Sequence, residues 1–231
     1  MANVLKTGLQ KLEKEAKVFS KIGLEVIMTF KGHKAKFYIR SANNNSVSAL
    51  ILETEEELDD FVGCIKTHQL EQMFKGVKEG DFIGYNKSTL QLVKKSKATT
   101  INIMEPSVYD VKMPTLHPTN KLRVDTKRIV DFVKESTALF KDLPTIRLKH
   151  VARELIMEVI SGGDSMAEAI AITPLEGEMC VSGYGPKLLL EVLGAGKECV
   201  LEFGTDYPLT VKEEGEGFAS VQILAPVVKN D

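Results

Sequence analysis

Apolar residues recur along the chain at spacings that separate helices from strands. Stripes at helical spacing, such as Leu9, Leu12 and Ala16, predict four helices, near residues 4–18, 67–77, 126–141 and 187–193. Asn3 and Asp125 are suited to cap the first and third helices, and Pro186 to open the fourth. Short apolar runs predict strands at Leu24–Phe30, Lys36–Ile39, Val47–Leu52, Phe61–Ile65, Phe82–Tyr85, Thr89–Val93, Thr99–Met104, Ile146–Leu148, Glu154–Ile160, Ala167–Ile172, Cys199–Phe203, Pro208–Val211 and Ala219–Leu224.

A proline-bearing connector divides these elements into two similar halves. Pro106, Pro114 and Pro118 fall within thirteen residues, which predicts an extended segment. The helices that begin near 4 and 126 are 122 residues apart, and those near 67 and 186 are 119 apart. We therefore predict an α+β chain of two tandem similar domains, 1–107 and 122–231, joined by a connecting loop at 108–121. Each domain is expected to be a sheet with two helices on one face.

Composition narrows the class of protein. The 231 residues are 43% apolar and 27% charged, with a net charge of −2, which excludes a disordered, collagen-like or disulfide-scaffold chain. No run approaches the ~20 apolar residues of a membrane span, and no secretory signal opens the chain, so an intracellular protein without a membrane partner is expected. Cys64, Cys180 and Cys199 are widely spaced, which favours buried free thiols. The acidic run Thr54–Asp60 is typical of a solvated loop between strands.

Lysines lie opposite the apolar stripes of equivalent helices in the two halves. On the first helix Lys14 and Lys17 oppose the stripe, and on the third Lys134 does. A repeated basic face can follow a polyanion through its phosphates without reading sequence. A solvated helix surface is the alternative, and it is favoured by the acids that dilute the lysines, which are Glu13, Glu15, Asp131 and Glu135.

Three strings in the second half carry a resemblance to a known family. They are Val124-Asp125-Thr126-Lys127-Arg128-Ile129, Gly204-Thr205-Asp206-Tyr207-Pro208-Leu209, and Ile223-Leu224-Ala225-Pro226-Val227-Val228. In this order, with the repeat and with Met113-Pro114-Thr115-Leu116 on the connector, the chain resembles the sliding clamps of the proliferating-cell-nuclear-antigen type. The first half resembles these clamps in its order of helices and strands more than in short sequence motifs.

The resemblance implies a DNA-clamp fold, with sheets outside and helices lining an inner face. It implies a non-catalytic DNA polymerase processivity factor, a homotrimeric ring that encircles duplex DNA, is opened by a clamp loader, and tethers polymerase and other replication and repair proteins. No cofactor and no metal are expected. The lysines that would face DNA are Lys6, Lys14, Lys17, Lys75, Lys127, Lys134, Lys141 and Lys187.

Partner and subunit contacts are also implied by the resemblance. A short peptide motif of a partner would bind a pocket formed by Val47, Ala49, Met113, Leu116, Pro208, Ile223, Ala225, Pro226 and Val228. Subunits would pair through Thr99, Ile101, Ile103, Ile170 and Ile172. Two departures are visible. The chain is less acidic than the family usually is, and the stretch 173–180, where an interface strand is expected, is short.

Other functions are weighed against this one. A specialised subunit of a hetero-oligomeric ring, or a monomeric processivity factor, is the alternative. An enzyme on a duplicated α+β scaffold is disfavoured, because the sequence shows no catalytic constellation. Gly194-Ala195-Gly196-Lys197 lacks the first glycine of a phosphate loop, since Glu191 stands there. The four histidines show no i, i+4 pair, which argues against a metal site.

Overall fold

The structure of the chain is a computed structural model. It describes residues 3–5, 8–95, 97–106, 113–140, 145–161, 163–172, 178–194 and 198–227, of which 3–5 and 172 are described by their backbone. The chain divides into two compact units. Unit 1 comprises Met1–Asn43, Val47–Pro114 and Glu214–Ser220, and unit 2 comprises Asn44–Ser46, Thr115–Glu213 and Val221–Asp231.

Four helices and fourteen strands make up the described part of the chain. The helices are α1 (Leu9–Ile22), α2 (Thr67–Phe74), α3 (Thr126–Leu139) and α4 (Pro186–Leu193). The strands are β1 (Asn3–Leu5), β2 (Glu25–Arg40), β3 (Ser46–Lys66), β4 (Phe82–Tyr85), β5 (Thr89–Lys94), β6 (Lys97–Asn102), β7 (Asn120–Asp125), β8 (Ile146–Val151), β9 (Glu154–Ser161), β10 (Asp164–Ile172), β11 (Cys180–Tyr184), β12 (Glu198–Phe203), β13 (Leu209–Gly215) and β14 (Phe218–Leu224). Every helix in the described residues is too short or too polar to cross a bilayer.

Unit 1 packs α1 and α2 side by side. Its four-stranded antiparallel sheet has the order β1-β4-β5-β6, and β2 and β3 form a long antiparallel pair. The helices bury one face because their apolar residues recur at helical spacing: Leu12, Ala16 and Phe19 on α1 are fully buried, as are Leu70 and Phe74 on α2.

Unit 2 repeats this plan. The helices α3 and α4 pack on each other, and the antiparallel sheet has the order β10-β9-β8-β11. A second antiparallel set places β12 between β7 and β13. The core contains Phe132 and Val133 from α3 and Leu189 from α4. As predicted, Asp125 caps α3 by accepting a hydrogen bond from the Lys127 amide at 2.8 Å.

The start of the first helix is a correction. The sequence predicts a helix from near Val4 with Asn3 as its cap, but Asn3–Leu5 is a strand paired with Ile83–Tyr85. Gly8 then turns the chain with φ of 71°, and the helix runs from Leu9 to Ile22. The three residues Asn3–Leu5 are too few for their pattern of polar and apolar side chains to distinguish a strand from a helical turn. The choice is made by the sheet edge that β4 provides.

The acidic run from Thr54 to Asp60 is also corrected. It lies inside β3 and not in a loop, because Glu53 pairs with Lys34 and Leu58 with Gly32. Register shifts flank Gly32, whose φ is 55°, so the ladder bends there without breaking. Exposed acids are tolerated because lysines line the partner strand, as in the 3.8 Å Lys31–Asp60 pair.

Two strands of unit 2 are absent from the sequence prediction. Asn120–Asp125 falls on the predicted connector and the start of a helix, and Cys180–Tyr184 falls between predicted elements, because both strands are short and half polar. In the stretch 173–180, where an interface strand is expected, Glu178 and Met179 lie outside any strand and Cys180 begins β11. Residues 173–177 lie outside the described residues.

Candidate nucleic-acid interface

The exposed surface of α1 is basic. Lys14, Lys17 and Lys21 are exposed, whereas the stripe of apolar residues is buried. Both acids that dilute these lysines in the sequence have partners within unit 1. Glu15 is fully buried and pairs with Lys11 at 3.1 Å. Glu13 accepts a hydrogen bond from the Gly76 amide at 2.9 Å. The side of α1 that meets solvent is therefore more cationic than its sequence indicates.

The end of α2 joins the same surface of unit 1. The Glu13 carboxylate holds the amide after Lys75, and the Lys94 ammonium donates to the Lys75 carbonyl at 2.7 Å. Both contacts fall at the C-terminal end of α2. The unpaired carbonyls there favour the Lys94 ammonium. Lys75 and Lys78 are exposed there. The first contact joins the residue after Lys75 to α1, and the second joins the Lys75 backbone to β5.

Unit 2 carries cations at equivalent places. Lys127 and Lys134 are exposed on α3, although Asp131 and Glu135 are exposed beside them. On α4 Lys187 is the exposed charge, because Glu191 is buried. Six of the eight predicted lysines are thus exposed: Lys14, Lys17, Lys75, Lys127, Lys134 and Lys187. Lys6 and Lys141 lie outside the described residues.

The helices of the two units start at matching intervals. Leu9 and Thr126 begin α1 and α3, 117 residues apart, and Thr67 and Pro186 begin α2 and α4, 119 apart. The matched helices are also equal in length, 14 residues for the first pair and 8 for the second. The basic surfaces therefore belong to corresponding helices of a repeated unit.

Each four-stranded sheet has an edge strand at the positions predicted for the subunit interface. In unit 1 this edge is β6, whose outer side has no partner strand among the described residues and whose side chains are nearly all exposed. In unit 2 it is β10, whose partner among the described strands is β9 alone. The predicted interface residue Thr99 is exposed on β6 and Ile101 is partly exposed, while Ile103 follows the strand and lies against Gly63. The Ile170 side chain is 3% exposed and packs in the core, so only its backbone remains at the edge, and Ile172 is described by its backbone alone.

Side-chain-to-backbone hydrogen bonds hold the chain next to the predicted pocket residues Leu116 and Pro208 of unit 2. Tyr184 Oη donates to the Tyr207 carbonyl at 2.7 Å, and Tyr207 Oη accepts from the His117 amide. Ser182 Oγ donates to the Gly204 carbonyl at 2.7 Å. These bonds fix the loop before Pro208 beside the connector residue that follows Leu116.

The chain segment after β14 is fixed in the same region of unit 2. The Ala225 amide donates to the Asn45 carbonyl and the Val227 amide to the Gly183 carbonyl, each at 2.8 Å. Ala225 and Pro226 stay partly exposed, as do Leu116 and Pro208. Ile223 is 7% exposed. Of the other predicted pocket residues, Val47 and Ala49 are buried on β3 of unit 1, Met113 of unit 1 is partly exposed, and Val228 lies outside the described residues.

Burial raises the pKa of each of the three cysteine thiols. Burial raises the pKa of the Cys199 thiol to about 12 and that of the Cys64 thiol to about 11, with Glu25 adding to the second shift. All three cysteines are buried and free, as predicted. Within the described ranges, no three His, Cys, Asp or Glu side chains lie close enough to hold a metal ion.

Comparison with solved structures identifies the architecture. The PCNA of A. fulgidus, solved with the C-terminal region of FEN-1, matches with a TM-score of 0.85 over all of both chains at 15% identity. This is the DNA-clamp fold. The predicted α+β clamp architecture is therefore confirmed. A clamp-fold match to PCNA from Entamoeba histolytica has a TM-score of 0.80 at 13% identity and covers 95% of this chain and 96% of that one.

Bacterial clamp-fold chains are longer. A putative DNA polymerase III beta subunit from Eubacterium rectale matches with a TM-score of 0.84 at 15% identity, covering 99% of this chain and 66% of that one. No protein-family model and no curated protein sequence matches the chain. The clamp fold is thus evident from the backbone at an identity where sequence comparison finds nothing.

Proposed function

We propose that this chain is a sliding clamp, a non-catalytic processivity factor that encircles duplex DNA and tethers replication proteins. The observation that carries the proposal is the set of exposed lysines on corresponding helices of both units of a clamp fold, with Lys14 and Lys17 on α1 and Lys134 on α3. On α1 Glu15 is buried against Lys11, and Glu13 accepts a hydrogen bond from the Gly76 amide, so both acids have partners within unit 1.

The side chains suit a loose contact with phosphates. Lysine is a compact, hydrated charge on a flexible stem, and it fits a phosphate without the fixed geometry that an arginine fork imposes. Contacts of this kind carry no sequence information, because they are made to the backbone of the duplex. A protein held only by such contacts can move along DNA, and its affinity falls as salt rises.

The open edges support closure of several copies into a ring. The β6 strand carries Lys97 and follows Lys94 and Lys95, whereas β10 carries the exposed Asp164 together with Glu168, which pairs with Arg128 at 3.1 Å. Pairing β6 of one copy with β10 of the next joins opposite charges, while pairing like edges opposes them. A contact between two different edges is head to tail, and it generates a ring when the rotation closes. We propose a homotrimer, with a hetero-oligomeric ring or a monomeric factor as the alternatives.

The fixed region around Ala225 and Pro226 in unit 2 is proposed as part of the partner-binding site. Its backbone is already held by hydrogen bonds, so a partner peptide would pay little ordering entropy on the clamp side. The partly exposed Leu116, Pro208 and Pro226 offer apolar anchor contacts. The A. fulgidus PCNA was solved with such a partner segment bound, the C-terminal region of FEN-1.

The experiment is primer extension on a long, primed, single-stranded circle with the replicative polymerase and clamp loader of the same host. Full-length product should depend on this protein, because a tethered polymerase does not dissociate between nucleotides. The variant Lys14→Glu/Lys134→Glu reverses one cation in each unit and should reduce extension strongly. It should also lessen the salt dependence of duplex binding, whose slope changes by ~0.9 for each phosphate that the variant no longer neutralises.

The matched control also reverses one exposed cation in each unit, but on strands. Lys31→Glu/Arg123→Glu changes side chains that are 79% and 77% exposed, each in a long ion pair. It should support extension like the parent protein. If both double variants lose activity equally, net charge and not the helical surface matters. If neither does, or if the parent fails to stimulate the polymerase, the proposal is refuted.

A further inference from the structure

The edge strand β10 contains an irregularity at the position where α3 reaches it. Ala169 pairs with Ile156 and Ala171 pairs with Leu155, so Ile170 is an extra residue on the β10 side. This is a β-bulge, which removes one residue from the ladder and fixes the register of the strands around it. The Ile170 side chain is buried in the core of unit 2, which anchors the bulge from within.

One guanidinium binds the backbone of this bulge. Arg128 Nη1 donates to the Ile170 carbonyl at 2.6 Å, and Nη2 donates to the Ala169 carbonyl at 2.9 Å. Nη2 also lies 3.1 Å from Glu168 Oε1. Arginine presents several N–H donors in a rigid fork, so it can hold two carbonyls and a carboxylate at once. No other residue type could make all three contacts from one planar group.

The arrangement changes what β10 presents at its open edge. Successive carbonyls of a regular strand point to opposite sides, one of them toward the next strand. Here both carbonyls of Ala169 and Ile170 are turned to the same donor. A strand added at the open edge therefore meets a regular ladder only over 164–168, before the bulge. The exposed Ser165 and Ala167 in this segment leave room for the side chains of an incoming strand.

We infer that Arg128 is a positioning residue of the subunit interface, and that it fixes the register in which β6 of a second copy pairs with β10. This inference rests on the proposed ring. The incoming strand stops at the bulge, so its alignment with 164–168 is set. Arg128 comes from α3, the helix that also carries Lys127 and Lys134. The interface register is thus determined from the same helix as part of the proposed DNA surface.

The test measures association and register in the full-length chain. Arg128→Gln and Arg128→Lys are compared with the parent by native mass spectrometry over a dilution series. Both should raise the concentration at which the ring dissociates by about tenfold or more, the scale expected for losing a charge-assisted hydrogen bond. Arg128→Lys should not rescue, because an ammonium cannot span both carbonyls. The matched control is Arg123→Gln, which removes an exposed arginine of unit 2 whose ion pair is 4.0 Å long.

A cross-linking experiment reads the register directly. Thr99→Cys is combined in turn with Ser165→Cys, Ala167→Cys or Ala169→Cys, and the native cysteines are buried and do not compete. Under mild oxidation the protein that retains Arg128 should form intersubunit disulfides predominantly with one of the three positions. The Arg128→Gln protein should spread them over several. A role of Arg128 in the stability of unit 2 alone would not redistribute the cross-links.

The outcomes separate this inference from the proposed function. A parent that stays monomeric at every concentration refutes the ring and with it this inference. A parent ring that Arg128→Gln leaves unchanged in stability and in cross-link pattern refutes the inference alone. If both Arg128 variants fail to fold by circular dichroism, Arg128 acts on the core and the inference is likewise refuted. Equal weakening by Arg123→Gln would assign the effect to net charge and would also overturn it.

Discussion

The buried ion pair on α1 gives a prediction that can be worked out from the structure. Lys11 and Glu15 are 7% and 0% exposed, and their Nζ and Oε1 atoms are 3.1 Å apart. The Lys11 ammonium also lies 4.9 Å from the centroid of the Phe218 ring. Replacing Lys11 by Met keeps the aliphatic stem but removes the cation. The Glu15 carboxylate would then lose the ammonium that lies 3.1 Å from it inside unit 1.

The expected cost follows from desolvation. Breaking a buried pair by removing one partner typically lowers the free energy of unfolding by ~3–5 kcal/mol, whereas replacing both partners with apolar residues is often neutral or stabilising. Lys11→Met should therefore destabilise the protein strongly, and Lys11→Met/Glu15→Met should recover most of the loss. A double-mutant cycle would report the coupling between the two side chains.

Differential scanning calorimetry at fixed protein concentration is the measurement. With ~2–4 °C of Tm per kcal/mol for a chain of this size, Lys11→Met should lower Tm by roughly 6–20 °C. Lys14→Met, an exposed lysine on the same helix, is the control and should shift stability by no more than ~0.5 kcal/mol. A Lys11→Met protein as stable as the parent, or a double variant worse than the single one, would refute the reasoning.

Three further predictions concern packing, reactivity and a turn. Tyr184→Phe removes the donor to the Tyr207 carbonyl and should cost ~1–2 kcal/mol in urea unfolding, with a larger loss contradicting a simple hydrogen-bond role. Because burial raises the pKa of the Cys199 thiol to about 12, the thiolate fraction at pH 8 is only ~1 in 10⁴. Iodoacetamide should therefore modify Cys199 far more slowly in the folded protein than in urea-unfolded protein. Equal rates would contradict this. Ala152 and Arg153 form the two-residue β8–β9 turn with φ of 50° and 76°, so Ala152→Asn/Arg153→Gly should stabilise by ~0.5–1 kcal/mol in calorimetry, and an unchanged or lower Tm would contradict it.

The parts of the fold that sequence reasoning reaches are those specified by local pattern. Asp125 before an apolar stripe locates the start of α3, and Pro186 and Gly194 bound α4, because caps and breakers act within one turn of the chain. The boundary of α1 is missed because three residues at the N-terminus fit both a helical turn and a short strand. The acidic part of β3 is missed because exposed charges look like a loop until a lysine-bearing partner strand is placed beside them.

For the basic surfaces of the helices, too, some features follow from the sequence and others only from the tertiary structure. The sequence determined by itself that the chain repeats a helix-and-strand unit and that lysines oppose the apolar stripes, since helical spacing alone sets which residues share a face. It could not determine that Glu15 is buried, that Glu13 binds the Gly76 amide, or that Arg128 binds the bulge of β10. Those contacts join residues distant in the chain or depend on burial, and only the packing of helices against each other and against a sheet edge brings them about.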